Sequence, residues 1–179
     1  MIYVFLASGF EETEALTPVD MLRRCELEVI TVGIGGQVVK GSHGISVMTD
    51  ITDNDISLDD NLQMIILPGG MPGTLNLEAS EKVQKAIDYC LESDRYIAAI
   101  CAAPSILGHK NILINKKATC YVGFESQLNG AVVSHEKVCT DGKIITSRGA
   151  GTALEFSFEI IKHLISEEKS NNLKDAIMY

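Results

Sequence analysis

The chain has no tryptophan, four prolines and only 6% aromatic residues among its 179 positions. No apolar run approaches the roughly 18 residues that a membrane-spanning helix needs. Nor is there a CxxC pair. The five cysteines, an odd number at irregular spacing, do not read as a disulfide framework or a zinc site. Basic charge is scarce: 15 Lys and Arg stand against 24 Asp and Glu, a net charge of −9. That balance excludes an electrostatic grip on nucleic acid or an anionic membrane. It leaves open a small anionic substrate held by local amides. The opening stretch MIYVFLASGFEE has no basic segment before its apolar residues, so it does not read as a secretory signal. A reducing, cytoplasmic setting fits these features. No phosphate-cradling P-loop appears, and nothing calls for a metal or an organic cofactor.

What is present is ordinary for a globular chain, with 46% hydrophobic and 22% charged residues. A chain of this length can bury roughly 70% of its unfolded surface without staples. One domain over 1–179 is expected, with no repeat, linker or low-complexity tract. Strand and helix patterns alternate. Apolar strands are expected at 2–7, 27–34, 64–67, 96–100 and 117–122. A helix is expected around TPVDMLRRC, with Thr17 as N-cap and Pro18 in its first turn, or with an earlier start and a kink at Pro18. Residues 37–50 suggest a small hairpin, and 50–60 an acidic loop. Ser80 caps a helix whose apolar face carries Val83, Ala86, Ile87, Cys90 and Leu91. A second hairpin turns at Asp141-Gly142, a type I′ pair. Thr152 and Glu155 form a capping box before a stripe of Leu154, Phe158, Ile161 and Ile165. The tail KSNNLKDAIMY (169–179) is expected to form a short final helix or a packed end. Short apolar strands alternating with helices predict an α/β fold, a parallel sheet covered on both faces.

In such sheets ligands sit beyond the carboxyl ends of the strands. Three stretches lie there: GFEETE (9–14), LPGGMPG (67–73) and AAICAAPS (98–105). A free cysteine in an apolar run is more often packing than chemistry. Cys25, Cys90, Cys120 and Cys139 read that way. Cys101 differs, because it stands where a buried strand runs directly into a helix. A nucleophile elbow has that layout, the sharp turn lifting the side chain above the sheet. The N–H groups at the helix start are expected to lower the thiol pKa. Gly69 and Gly70 can bring backbone amides close to a developing oxyanion. A carboxylate beside the sulfur would act as proton shuttle, and the residues alone do not choose among Glu11, Glu12 and Glu14.

These stretches, with TSRGAGTALEF (146–156), resemble the ThiJ/PfpI superfamily, in the branch of the parkinsonism-associated protein deglycase, in family order along nearly the whole chain. The resemblance implies a flavodoxin-like three-layer sandwich, related to class I glutamine amidotransferases. It implies Cys101 as nucleophile, Glu14 as the acid bonded to it, and the Gly70 and Ala102 amides as the oxyanion pocket. It implies a homodimer, with Gly69, Arg24 and His43 at the pocket or near the partner. Relatives that keep a histidine near the cysteine place it in a segment that is shorter here; His135 falls a few positions late and stands as a candidate base. His109 and His163 read as structural or solvated, and Arg148 as pinning a carboxylate or a loop. The implied activity is glutathione-independent conversion of methylglyoxal or glyoxal to hydroxy acids, with repair of early glycation adducts on thiols and amines, and with no cofactor. The alternative is a redox sensor or chaperone acting through oxidation of Cys101. A glutaminase would need a His and Glu pair on a later strand, and none is evident.

Overall fold

The computed structural model describes residues 1–179. In chain order the elements are β1 (Ile2–Leu6), α1 (Glu12–Arg24), β2 (Val29–Gly33), β3 (Val38–Lys40), β4 (Ser46–Met48), β5 (Ile51–Thr52) and β6 (Met64–Leu67). They continue with α2 (Gly73–Ala79), α3 (Glu81–Glu92), β7 (Tyr96–Ile100), α4 (Pro104–His109), β8 (Lys117–Ala118) and β9 (Val132–Val133). The chain closes with β10 (Val138–Asp141), β11 (Ile144–Ser147), α5 (Ala153–Leu164) and α6 (Glu167–Ala176). Seven strands form the main sheet in the order β10-β11-β7-β6-β1-β2-β5. Every pairing is parallel except the β10–β11 hairpin. The order of the long parallel strands, β2-β1-β6-β7-β11, is that of flavodoxin-like sheets.

Alternation along each strand builds two cores. On one face Phe5, Ile65, Leu67 and Ile97 pack against Val83, Ala86, Ile87 and Cys90 of α3. On the other, Val4, Met64, Ile66 and Ala98 meet Leu22 of α1 and Phe156, Ile160 and Ile161 of α5. Each fully buried large side chain contributes roughly 1.5–3 kcal/mol. The result is the three-layer sandwich that the alternating pattern predicts.

Several local expectations are corrected. Of the two starts considered for the first helix the structure takes the earlier, at Glu12, so Pro18 lies inside it and forgoes the bond to the Glu14 carbonyl. The acidic loop contains β5, which pairs with β2 at the sheet edge. Residues 117–122 supply only Lys117–Ala118, paired with β9 outside the main sheet. In the β10–β11 hairpin Asp141 pairs with Ile144, so Gly142 and Lys143 make the turn. Gly142 has φ +60° and Lys143 is not left-handed, which fits type II′ rather than I′. The capping box is absent: Thr152 Oγ1 bonds Ser147 Oγ at 2.7 Å, and Glu155 pairs with Lys137. Of the expected α5 stripe Phe158 and Ile161 are buried, joined by Phe156 and Ile160, whereas Leu154 is half-buried and Ile165 is exposed. The Ser80 cap stands as expected, its Oγ accepting from the Val83 amide at 3.4 Å.

Candidate active site

The site begins with β7, whose residues Ile97–Ile100 are fully buried. Such a strand cannot continue past the sheet edge, and the chain turns at Cys101 with φ +66°. A non-glycine residue is uncommon there and costs about 1–2 kcal/mol. Strand β11 and the segment after β8 hold it. The Cys101 amide donates to the Ser147 carbonyl at 3.0 Å, and the Tyr121 amide donates to the Cys101 carbonyl at 2.8 Å. Ala102 and Ala103 are buried, and Pro104 opens α4 at its first position, where its missing N–H costs nothing.

α1 presents Glu14 to the sulfur. Its start at Glu12 puts Glu14, Ala15, Pro18, Val19 and Leu22 on the inward face. The Glu14 side chain is buried and accepts from the Gly69 amide at 3.0 Å through Oε2. The same carboxylate lies beside the Cys101 side chain and acts on its thiol. Gly69 has no alternative: a Cβ there would lie 2.6 Å from both Cys101 Cβ and Glu14 Oε2. Gly70 is equally constrained, with φ +89° and a hypothetical Cβ 2.4 Å from the Glu11 amide nitrogen. The backbone amides of Ala102 and Gly70 lie near the Cys101 sulfur and favour its thiolate.

Electrostatics overturns one expectation. The thiol is not lowered; it is pushed up to about 12. Burial is the main cause, followed by the charge of Glu14 and the hydrogen bond to it, while the Ala102 and Gly70 amides pull the other way. A short helix beginning three residues later cannot offset that burial. Glu14 is pushed up to about 7, again by burial, against its bonds from Cys101 and Gly69, with Glu11's charge adding to the rise. Two groups so close titrate as a pair. The pair carries one titration near neutrality, and Glu14 is the proton acceptor within reach of the sulfur.

Among the other expected residues, Arg24 is not brought to this point within the chain. It lies ten positions past Glu14, about 15 Å along the helix, paired with Asp20 at 3.1 Å. His43 is 69% exposed and bonds Glu12 Oε2 at 3.0 Å. Burial raises the Glu12 carboxyl, yet amide and His43 hydrogen bonds outweigh it and hold the pKa at about 2. Glu11, Glu12 and His43 place ligand-type atoms within 4.8 Å of one another; the contacts tie the start of α1 to the β3–β4 turn. His135 is exposed, and its carbonyl accepts from Arg148 at 3.3 Å; no hydrogen bond or ion pair links its ring to Cys101. Arg148 thus pins the 135 loop. His109 and His163 pair with Glu78 and Glu159. One neighbour the sequence does not announce is Tyr121, whose ring lies against Gly149.

A strained cysteine at a strand-to-helix elbow, facing a buried glutamate on a flavodoxin-like sheet, defines a class of cysteine-centred α/β proteins. The chain belongs to the DJ-1/PfpI family, whose model matches residues 1–163. It is 34% identical over 178 residues to the protein dj-1beta of Drosophila melanogaster, covering 98% of this chain and 95% of that one. It is 37% identical to protein DJ-1 homolog B of Arabidopsis thaliana over 94% of this chain but spans only 39% of that relative's length. A Caenorhabditis elegans relative named glutathione-independent glyoxalase DJR-1.2 is 30% identical, over 91% of this chain and 87% of that one. Among solved structures, oxidized DJ-1 of Toxoplasma gondii superposes with a TM-score of 0.94 at 29% identity, covering 99% and 97% of the two chains.

Proposed function

We propose that the chain is a cysteine-dependent, glutathione-independent glyoxalase acting on methylglyoxal and glyoxal, with repair of early glycation adducts on thiols and amines as an extension. What supports this reading is the buried Glu14 carboxylate, held by the Gly69 amide at 3.0 Å and set against the Cys101 side chain at its left-handed elbow. The sulfur becomes nucleophilic by passing its proton to Glu14. It adds to the aldehyde carbon, and the carbonyl electrons move to oxygen. The Gly70 and Ala102 amides hold that oxygen. Glu14 hands the thiol proton to that oxygen, which completes the hemithioacetal and frees the carboxylate. It then takes the proton from the former aldehyde carbon to give an enediol and returns it to the adjacent carbon. Meanwhile the hydroxyl proton passes from the first oxygen to the second, leaving a thioester beside an α-hydroxyl. One carbon is oxidised and its neighbour reduced, so no external oxidant is consumed. Water then cleaves the thioester, releasing the hydroxy acid and the thiol.

The name of the nematode relative supports this chemistry. A homodimer belongs to the same reading, and the cavity of about 600 Å³ between α1 and α5, lined in part by Leu16, Met21 and Leu154, is where a second copy would rest; light scattering coupled to size exclusion tests it. No helix is long and apolar enough to cross a membrane, and five free cysteines suit a reducing cytoplasm. Purified protein is expected to consume methylglyoxal and form lactate. A Cys101→Ser variant that matched the wild-type rate would end the proposal.

A further inference from the structure

Beside the reactive pair lies a cleft of about 450 Å³ that the proposed chemistry does not use. Tyr121, Arg148, Gly149 and Ala150 form its near wall, with Lys137 at the far side. Its wall residue Gly149 also packs near Glu14. A Cβ on Gly149 would lie 3.3 Å from Tyr121 Cδ2 and 3.7 Å from Glu14 Oε1. No acidic residue lines it, although the chain carries a net charge of −9. Lys137 is engaged by Glu155. Arg148 is not engaged in that way. Arg23, Arg24 and Arg95 each pair with an aspartate, whereas Arg148 has no carboxylate within 4.0 Å. Its guanidinium offers five N–H donors, and the only side-chain bond it makes runs to the His135 carbonyl at 3.3 Å. The neighbouring Glu125 carboxylate is turned onto the Gly123 amide at 2.7 Å instead. Arg148 is half-buried, so water screens it less than an exposed cation.

From this we infer that Arg148 sets a preference for anionic substrates, namely small dicarbonyls that carry a carboxylate or phosphate beyond the reacting carbonyl. The inference rests on Cys101 being the reacting group. The carbonyl sits at the sulfur while the anionic end extends past Gly149 to the guanidinium. In a cleft with low-dielectric walls, one unpaired cation attracts such a group more strongly than it would in open solvent.

Two alkylating agents of nearly equal size test this without requiring turnover. Iodoacetate and iodoacetamide react with the thiolate in the same way: a sulfur–carbon bond forms, the carbon–iodine bond breaks and iodide leaves. Only iodoacetate is charged. Mass spectrometry locates the adduct on Cys101, and the readout is the iodoacetate-to-iodoacetamide rate ratio. We expect the ratio to fall about fivefold in Arg148→Gln and to return to within about twofold of wild type in Arg148→Lys. An equal ratio in wild type and Arg148→Gln overturns the inference. So does an equal fall in both variants, which would trace the effect to guanidinium shape rather than charge. Absence of methylglyoxal turnover with an Arg148-dependent ratio would sink the glyoxalase reading and leave this one standing.

Discussion

The thiols of Cys90 on α3 and Cys101 just past β7 are both pushed up, each to about 12. Burial is the first cause for both. At Cys90 nothing else raises it, and the only charge felt is that of Arg95. The thiol fills the core between α3 and the sheet, where a small apolar side chain would serve. Cys101 is partly exposed, held at φ +66°, and set beside a carboxyl that is itself pushed up to about 7. A thiol's own pKa therefore does not separate packing from chemistry here. A proton acceptor within hydrogen-bond reach does.

The largest effect that would break this comparison is loss of the sulfur. Cys101→Ser is expected to lower kcat/KM for methylglyoxal by about 10³-fold or more. Cys90→Ser keeps the rate and instead destabilises the fold by about 1–3 kcal/mol, because its hydroxyl is buried without a designed partner. Steady-state kinetics and urea unfolding of both variants check the pair. Next comes the acceptor. Glu14→Gln is expected to slow turnover about 10²–10⁴-fold without unfolding the protein.

A stability effect follows from the same carboxyl. Its folded pKa, about 7, lies above the ordinary value of 4.5. Between those values the native state holds a proton that the unfolded chain has lost, so stability falls as pH rises from about 4.5 through 7. Glu14→Gln removes that dependence and should be more stable than wild type at pH 8, by up to about 3 kcal/mol. Thermal melts from pH 5 to pH 8 measure it; a wild-type curve that rises across this window relative to the variant would contradict it. The smallest effect concerns backbone strain. Cys101→Gly relieves the left-handed conformation and should exceed Cys101→Ala in stability by about 1 kcal/mol, read by denaturant midpoint.

How legible this was in the sequence depends on the range of the interaction. The elbow was legible because it is local: YIAAI ends where CAAP begins, and strand, turn and helix are contiguous in the chain. The sandwich was legible for a similar reason, since each strand is a short apolar run with a helix after it. Selecting Glu14 needed the start of α1. Once the helix begins at Glu12, the spacing of Glu14, Ala15, Pro18, Val19 and Leu22 puts Glu14 on the inward face, but Thr17-Pro18 looks like a helix start and conceals that phase. Resemblance, not periodicity, chose Glu14. The direction of the thiol shift was not legible, because it arises from burial and from a carboxylate 87 positions away, both properties of the assembled site. Tyr121 was hidden likewise, meeting the site through a backbone bond between segments 20 positions apart.

The central claim is that Glu14 accepts the thiol proton, and the pH dependence of Cys101 alkylation by iodoacetamide tests it most directly. In the wild type the rate should rise through an inflection near pH 7. In Glu14→Gln that inflection should vanish, leaving a rise only in the alkaline range. An unchanged neutral inflection in Glu14→Gln would mean that the thiol ionises without the glutamate, and would contradict the account.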